Sequence, residues 1–171
     1  MLIRPAAAQD LTAIQSIYAY HVLHGLASFE EEPPSVEEMR RRYEEVTAQG
    51  LPYVAAEDNG EVLGYGYCTL YRSRSAYRYT LEDSIYVRHG LQGKGIGKAL
   101  LAELVARCQV LDYRQMIAVI GDSANAASIA LHASLGFVRA GNLRSSGYKF
   151  GRWVDSVLMQ LPLGEGDGSK P

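Results

Sequence analysis

Apolar and polar positions follow two periods along this chain, and the changes of period mark its elements. Leu2 to Pro5 reads as a short strand. Leu11, Ile14, Ile17 and Tyr18 then share one face of a helix that opens near Asp10. His24 to Pro34 breaks the pattern and reads as a loop, closed by Pro33-Pro34. Ser35-Val-Glu-Glu38 has capping-box spacing and opens a second helix, which Gly50 ends. Residues 53–58 and 61–71 read as strands joined by Asn59-Gly60, a hairpin turn pair. A basic, serine-containing linker at 72–77 leads into a strand around 84–87. Lys98 to Val110 is strongly helical, Met116 to Ile120 is a strand, and a fourth helix follows from Asn125. Two last strands fall near 138–144 and 154–161. Residues 1–162 read as one domain, and 163–171 as a disordered tail.

Composition narrows the function classes. The chain has 171 residues, enough for one core without staples, and 47% of them are hydrophobic. A formal charge of −2 argues against a nucleic-acid-binding face. Cys68 and Cys108 lack CxxC spacing and sit in apolar runs, so packed, reduced thiols are expected. No apolar run approaches a membrane span, and a cytoplasmic enzyme is the expected class. His21, His24 and His89 lack metal-ligand spacing, and no metal is implied.

The most specific chemistry lies at Gln92-Gly93-Lys94-Gly95-Ile96-Gly97-Lys98, directly after a strand and at the mouth of a helix. Glycines there leave first-turn amides bare, and the helix dipole adds partial positive charge, so an anion is the preferred guest. Gly97-Lys98 is followed by Ala99, which lacks the hydroxyl that a nucleotide P-loop needs for magnesium. The glycine spacing and its position past mid-chain also disagree with a dinucleotide fold. The Gln-x-x-Gly-x-Gly pattern at Gln92, Gly95 and Gly97 resembles the pyrophosphate loop of the GNAT N-acetyltransferases. Asn125-x-x-Ser128 and the later Gly136-Phe137 keep that family's spacing. Residues 82–87, 118–121, Leu131-His132 and the run from Gly147 to Asp155 resemble its phosphinothricin and methionine sulfoximine/sulfone acetyltransferase branch.

This resemblance implies an α/β (α+β) fold: a mixed, twisted sheet of about seven strands with about four helices, splayed at an acetyl-CoA cleft. It implies acetyl transfer from acetyl-CoA to the α-amino group of a small amino-acid analogue, by direct attack in a ternary complex. Main-chain groups of Ile85, Tyr86 and Val87 would pair with pantetheine, and the Val87 N–H would bond the thioester carbonyl. Gly93 to Lys98 would hold the diphosphate, with Asn125 and Ser128 as further contacts. Asn125 also suits a helix N-cap, and Ser128 a plain helix surface. Glu82 is the candidate base, or else an ordinary strand-edge carboxylate. Asp83 points to the opposite face by strand alternation, so the two carboxylates are not a matched pair.

Many family members place a tyrosine where this chain has His132, which reads equally as proton donor or packing residue. Tyr148 is a weaker donor candidate. Arg72, Ser73 and Arg74 lie where the branch holds its acceptor, and guanidinium suits carboxylate or phosphinate oxygens. The run Tyr71-Arg72-Ser73-Arg74 departs from the branch's Trp-Arg pattern. Phe29 matches an aromatic acceptor-pocket wall, with core packing as its rival. Trp153 reads as structural or as a subunit contact. A homodimer follows from the resemblance alone. Peptide or protein N-terminal acetylation and a non-catalytic CoA-sensing module are the rival functions.

Overall fold

A computed structural model describes residues 1–171. In chain order its elements are β1 (Leu2–Pro5), α1 (Leu11–His24), α2 (Val36–Ala48), β2 (Tyr53–Asp58), β3 (Glu61–Leu70) and β4 (Thr80–Val87). Then come α3 (Ile96–Val110), β5 (Gln115–Gly121), α4 (Ala126–Ala133), β6 (Val138–Lys149) and β7 (Arg152–Pro162). The strands form one sheet in the order β1-β2-β3-β4-β5-β7-β6. Only β4 and β5 run parallel. A parallel pair needs a crossover, and α3 supplies it, so its N-terminus sits where β4 ends.

Alternation along β3 sorts the helices onto two faces. Cys68 meets Cys108 of α3, with the free thiol sulfurs 3.6 Å apart. Tyr65 and Tyr67 point the other way and stack with Tyr53, on the side where Tyr18 of α1 meets Tyr86 edge-on. α1 buries Leu11, Ile14, Ile17, Tyr18 and Val22, while α3 buries Ile96, Leu100, Leu101, Leu104 and Cys108. Each buried leucine contributes about 1.5–3 kcal/mol. The α3 row therefore anchors the helix whose N-terminus carries the glycine motif.

Several boundaries differ from the sequence reading. β4 starts at Thr80 rather than near Ser84, so Glu82 lies inside the strand and opposite Thr69. Main-chain pairing with β3 sets that start and needs no β-branched residues. α3 opens at Ile96, two residues before Lys98. β6 and β7 run on to a turn through Phe150 and Gly151. Their register shifts between Arg139 and Gly141 and again between Leu143 and Gly147, where the Ser145 N–H bonds Asp155 Oδ1 at 2.8 Å. Polar residues on those strands hid their length. At α2, Ser35 accepts from the Glu38 N–H, but the Glu38 carboxylate goes to Arg41 and Arg42 instead of closing the box. Beyond β7, where disorder was expected, Leu163 is buried and the chain turns back toward Arg114. That arginine donates to Ser169 Oγ at 3.2 Å.

Candidate active site

β4 and β5 stay paired only from Thr80–Gln115 to Asp83–Ala118. On the other edge of β4, the Arg88 N–H bonds the Leu63 carbonyl at 2.8 Å, which makes Gly64–Val87 a non-hydrogen-bonded pair. The two-residue alternation therefore turns the main-chain groups of Asp83, Ile85 and Val87 away from β3. Those of Asp83 meet β5. Those of Ile85 and Val87 face the gap where the strands part. An open strand edge of this kind can take an amide-bearing chain as an added strand. The Val87 carbonyl accepts a hydrogen bond from His21 Nε2 at 2.8 Å. Burial lowers the His21 pKa, with His89 adding to that and the Val87 bond opposing it, so a neutral ring donates here. His21 carried no signal in the sequence. The Tyr86 side chain is buried against Tyr18, away from the gap.

Past the end of β4, six consecutive N–H groups, Gly93 to Lys98, make no main-chain or side-chain hydrogen bond; the first bond of the helix is Ala99 to Gly95. Gly95 occupies the cap position with φ 81° and ψ −2°, a left-handed conformation costly for an L side chain. Gln92 uses its Oε1 to accept from the Gly90 N–H, shaping the approach to the row. Lys94 and Lys98 are exposed, while the Ile96 side chain is buried and offers only its amide. Such a row has the chemistry to take a diphosphate.

α4 closes the other side of the cleft. Asn125 caps it, with Oδ1 accepting from the Ser128 N–H at 3.1 Å. His132, one turn on from Ser128, is 4% exposed. Its Nδ1 donates to the Ser128 carbonyl at 2.8 Å, and its Nε2 lies 3.1 Å from Asp83 Oδ2. Burial opposes charge on the ring, but the Asp83 hydrogen bond and charge, helped by Ser128, raise its pKa. Both ring nitrogens of His132 thus face acceptors, an arrangement that favours the protonated ring beside Asp83. Strand alternation placed Asp83 opposite Glu82, but its partner on α4 was not visible from sequence spacing.

On the far face of β4 lies a cavity of about 370 Å³, lined by Tyr18, Ala27, Ser28, Phe29, Glu30, Glu82, Ser84, Tyr86, Val119, Gly121 and Ser156. It shares Ala27, Ser84, Tyr86, Val119 and Gly121 with the cleft that Asn125, Ser128 and His132 border. Glu82 is half-buried in it, and burial pushes its pKa up, with Arg72 opposing and Asp83 adding to the rise. Phe29 forms one wall. Tyr18 donates to Glu30 and shares a 2.8 Å bond with Ser28, while Arg42 neutralises Glu30. Arg72 lies over the Tyr71 ring, 4.3 Å from its centroid, and donates to the Tyr71 carbonyl. Arg72, Ser73 and Arg74 are all exposed and line none of this cavity; of the three, only Arg72 acts on Glu82 through its charge. A larger groove of about 480 Å³ lies near the C-terminal ends of α2 and α3; it has no carboxylate in its wall.

The sequence model of the acetyltransferase (GNAT) family matches residues 16–137. This chain belongs to the GNAT acetyltransferase family. It is 55% identical over 169 residues to a phosphinothricin N-acetyltransferase of Alcaligenes faecalis, covering 99% of this chain and 86% of that one. It is 41% identical over 165 residues to an L-methionine sulfoximine/L-methionine sulfone acetyltransferase of Salmonella typhimurium, covering 96% of each. Its fold matches the crystal structure of a GNAT phosphinothricin acetyltransferase from Sinorhizobium meliloti in complex with acetyl-CoA. The TM-score is 0.96 at 52% identity, over 99% of this chain and 92% of the other. The GNAT fold read from the glycine motif, its acetyl-CoA-dependent acetyltransferase class and its place beside these enzymes are therefore established for this chain. No group of three or more His, Cys, Asp or Glu side chains is arranged to hold a metal ion.

Proposed function

We propose that this GNAT enzyme acetylates the α-amino group of a small amino-acid analogue with an anionic or strongly polar tail. Phosphinothricin, methionine sulfoximine and methionine sulfone are the candidates, the acceptors for which its relatives are named. One observation carries the reading: a carboxylate of raised pKa, Glu82, stands in a cavity that shares a wall with the cleft.

The amide row Gly93 to Lys98 fits the diphosphate of acetyl-CoA, and the open edge at Ile85 and Val87 fits its pantetheine amides. When bound, acetyl-CoA supplies an activated thioester carbonyl. Glu82 takes a proton from the acceptor ammonium, and the freed nitrogen forms the new C–N bond as the C–S bond breaks. The Val87 N–H stabilises the developing oxyanion. Both ring nitrogens of His132 are engaged, so water takes the second proton from the attacking nitrogen and passes one to the departing thiolate. Arg72, whose charge acts on Glu82, would meet the acceptor's tail from outside the cavity wall.

Two further readings accompany this one. The β6–β7 hairpin carries exposed Tyr148, Phe150 and Trp153, a surface suited to pairing two copies of the chain. The unbridged Cys68 and Cys108 suit a reducing, cytoplasmic setting, and no helix is long and apolar enough to cross a membrane.

The test is turnover by purified protein with acetyl-CoA and each of the three acceptors, read as released thiol and as N-acetyl product by mass spectrometry. Product with at least one supports the assignment. No product with any, or faster transfer to a peptide N-terminus, overturns it.

A further inference from the structure

Lys149 is 1% exposed, yet its ammonium meets no carboxylate. Its two partners are main-chain carbonyls: Gly25 at 3.0 Å and Ser28 at 2.7 Å. A buried cation without a counter-ion is costly unless fixed dipoles replace the solvent. Gly25 is the C-cap of α1, and the negative end of that helix dipole supplies part of the compensation. Glu31 and Glu30 add a weaker long-range attraction. The chain thus ties the end of β6 to the loop that joins α1 to α2, across more than a hundred residues of sequence.

Two glycines complete the seat. A Cβ at Gly121 would stand 2.0 Å from the Leu26 carbonyl oxygen, and one at Gly147 would stand 2.5 Å from Phe29 Cε2. The loop therefore lies in a slot that side chains on β5 and β6 would fill. Its residues Ala27, Ser28, Phe29 and Glu30 form a wall of the cavity that contains Glu82. Nothing in the acetyl-transfer chemistry uses Lys149, and its burial is hard to account for as surface charge.

We infer that Lys149 is a positioning residue that sets acceptor specificity. By pinning residues 25–29 into the glycine slot, it holds Phe29 over Gly147 and keeps the acceptor cavity compact. A compact cavity admits a single amino acid and excludes the second residue of a peptide. The inference rests on the acceptor-cavity reading given above.

The experiment compares wild type with Lys149→Met and Gly147→Ala, each checked for folding by its thermal melt. Hydrogen–deuterium exchange of residues 25–30 reads the loop without any turnover. Acceptor KM and acetyl-CoA Kd read the site. Both variants are expected to speed exchange in the loop and raise acceptor KM roughly tenfold or more, with acetyl-CoA Kd unchanged. Unchanged exchange and unchanged acceptor KM in a folded variant overturn the inference, as does equal loss of acceptor and cofactor binding. Should Lys149→Met fail to fold, Gly147→Ala decides alone, since its main chain needs no unusual φ. Faster loop exchange in a protein that acetylates none of the three acceptors would instead count against the proposed function and leave the loop seat standing.

Discussion

His132 Nε2 and Asp83 Oδ2 lie 3.1 Å apart, both side chains buried, at the last rung that joins β4 to β5. The pair stands where the sheet begins to open, and it locks α4 to β4 across the cleft. With Nδ1 donating to Ser128, the ring needs both protons to satisfy both partners. Its folded pKa is raised above its ordinary value.

A raised histidine pKa gives a defined pH signature. The stabilisation is fully present below the unfolded-state pKa, near 6.5, and is lost as pH rises through the higher folded value. Urea titrations from pH 6 to pH 9 are expected to show falling stability over that interval. Asp83→Asn should remove this slope and cost about 3 kcal/mol at pH 6, since one buried partner loses its charge. A flat profile in wild type would contradict the pairing.

Glu82→Gln is expected to lower kcat about 10²-fold or more while acetyl-CoA affinity holds. Because burial raises the Glu82 pKa, the acid limb of the wild-type kcat profile should fall above the ordinary glutamate range. The limb should vanish in the variant. Steady-state kinetics across pH, with calorimetric Kd values, check both statements.

Arg72 opposes the rise in the Glu82 pKa. Arg72→Ala should therefore move that acid limb to higher pH and raise acceptor KM. Arg74→Ala, at a position that does not act on Glu82, should do neither. Equal effects from the two substitutions would place the acceptor's tail elsewhere.

The parts of this site legible in the sequence are those built by local rules. The glycines before α3, the cap at Asn125 and the opposite directions of Glu82 and Asp83 each follow from a few neighbouring residues. So do the seven strands and four helices, set by period and turn residues. What stayed hidden depends on distant segments meeting. His21 reaches Val87 from α1, Asp83 finds His132 on α4, and Lys149 reaches Gly25 from β6. No local pattern encodes such contacts. Polar residues on long paired strands likewise masked the true lengths of β4, β6 and β7, because main-chain ladders extend wherever a partner strand is available.

The central claim is that the bare amides from Gly93 to Lys98 grip the diphosphate of acetyl-CoA, and titration calorimetry of acetyl-CoA against wild type and Gly95→Asp tests it most directly. Aspartate is a favoured helix cap and tolerates left-handed backbone better than most residues, so the fold should survive while its carboxylate opposes the diphosphate. Wild type is expected to give saturable one-site heat, and the variant to bind roughly a hundredfold more weakly. No heat with folded wild-type protein, or undiminished affinity in Gly95→Asp, would contradict the account.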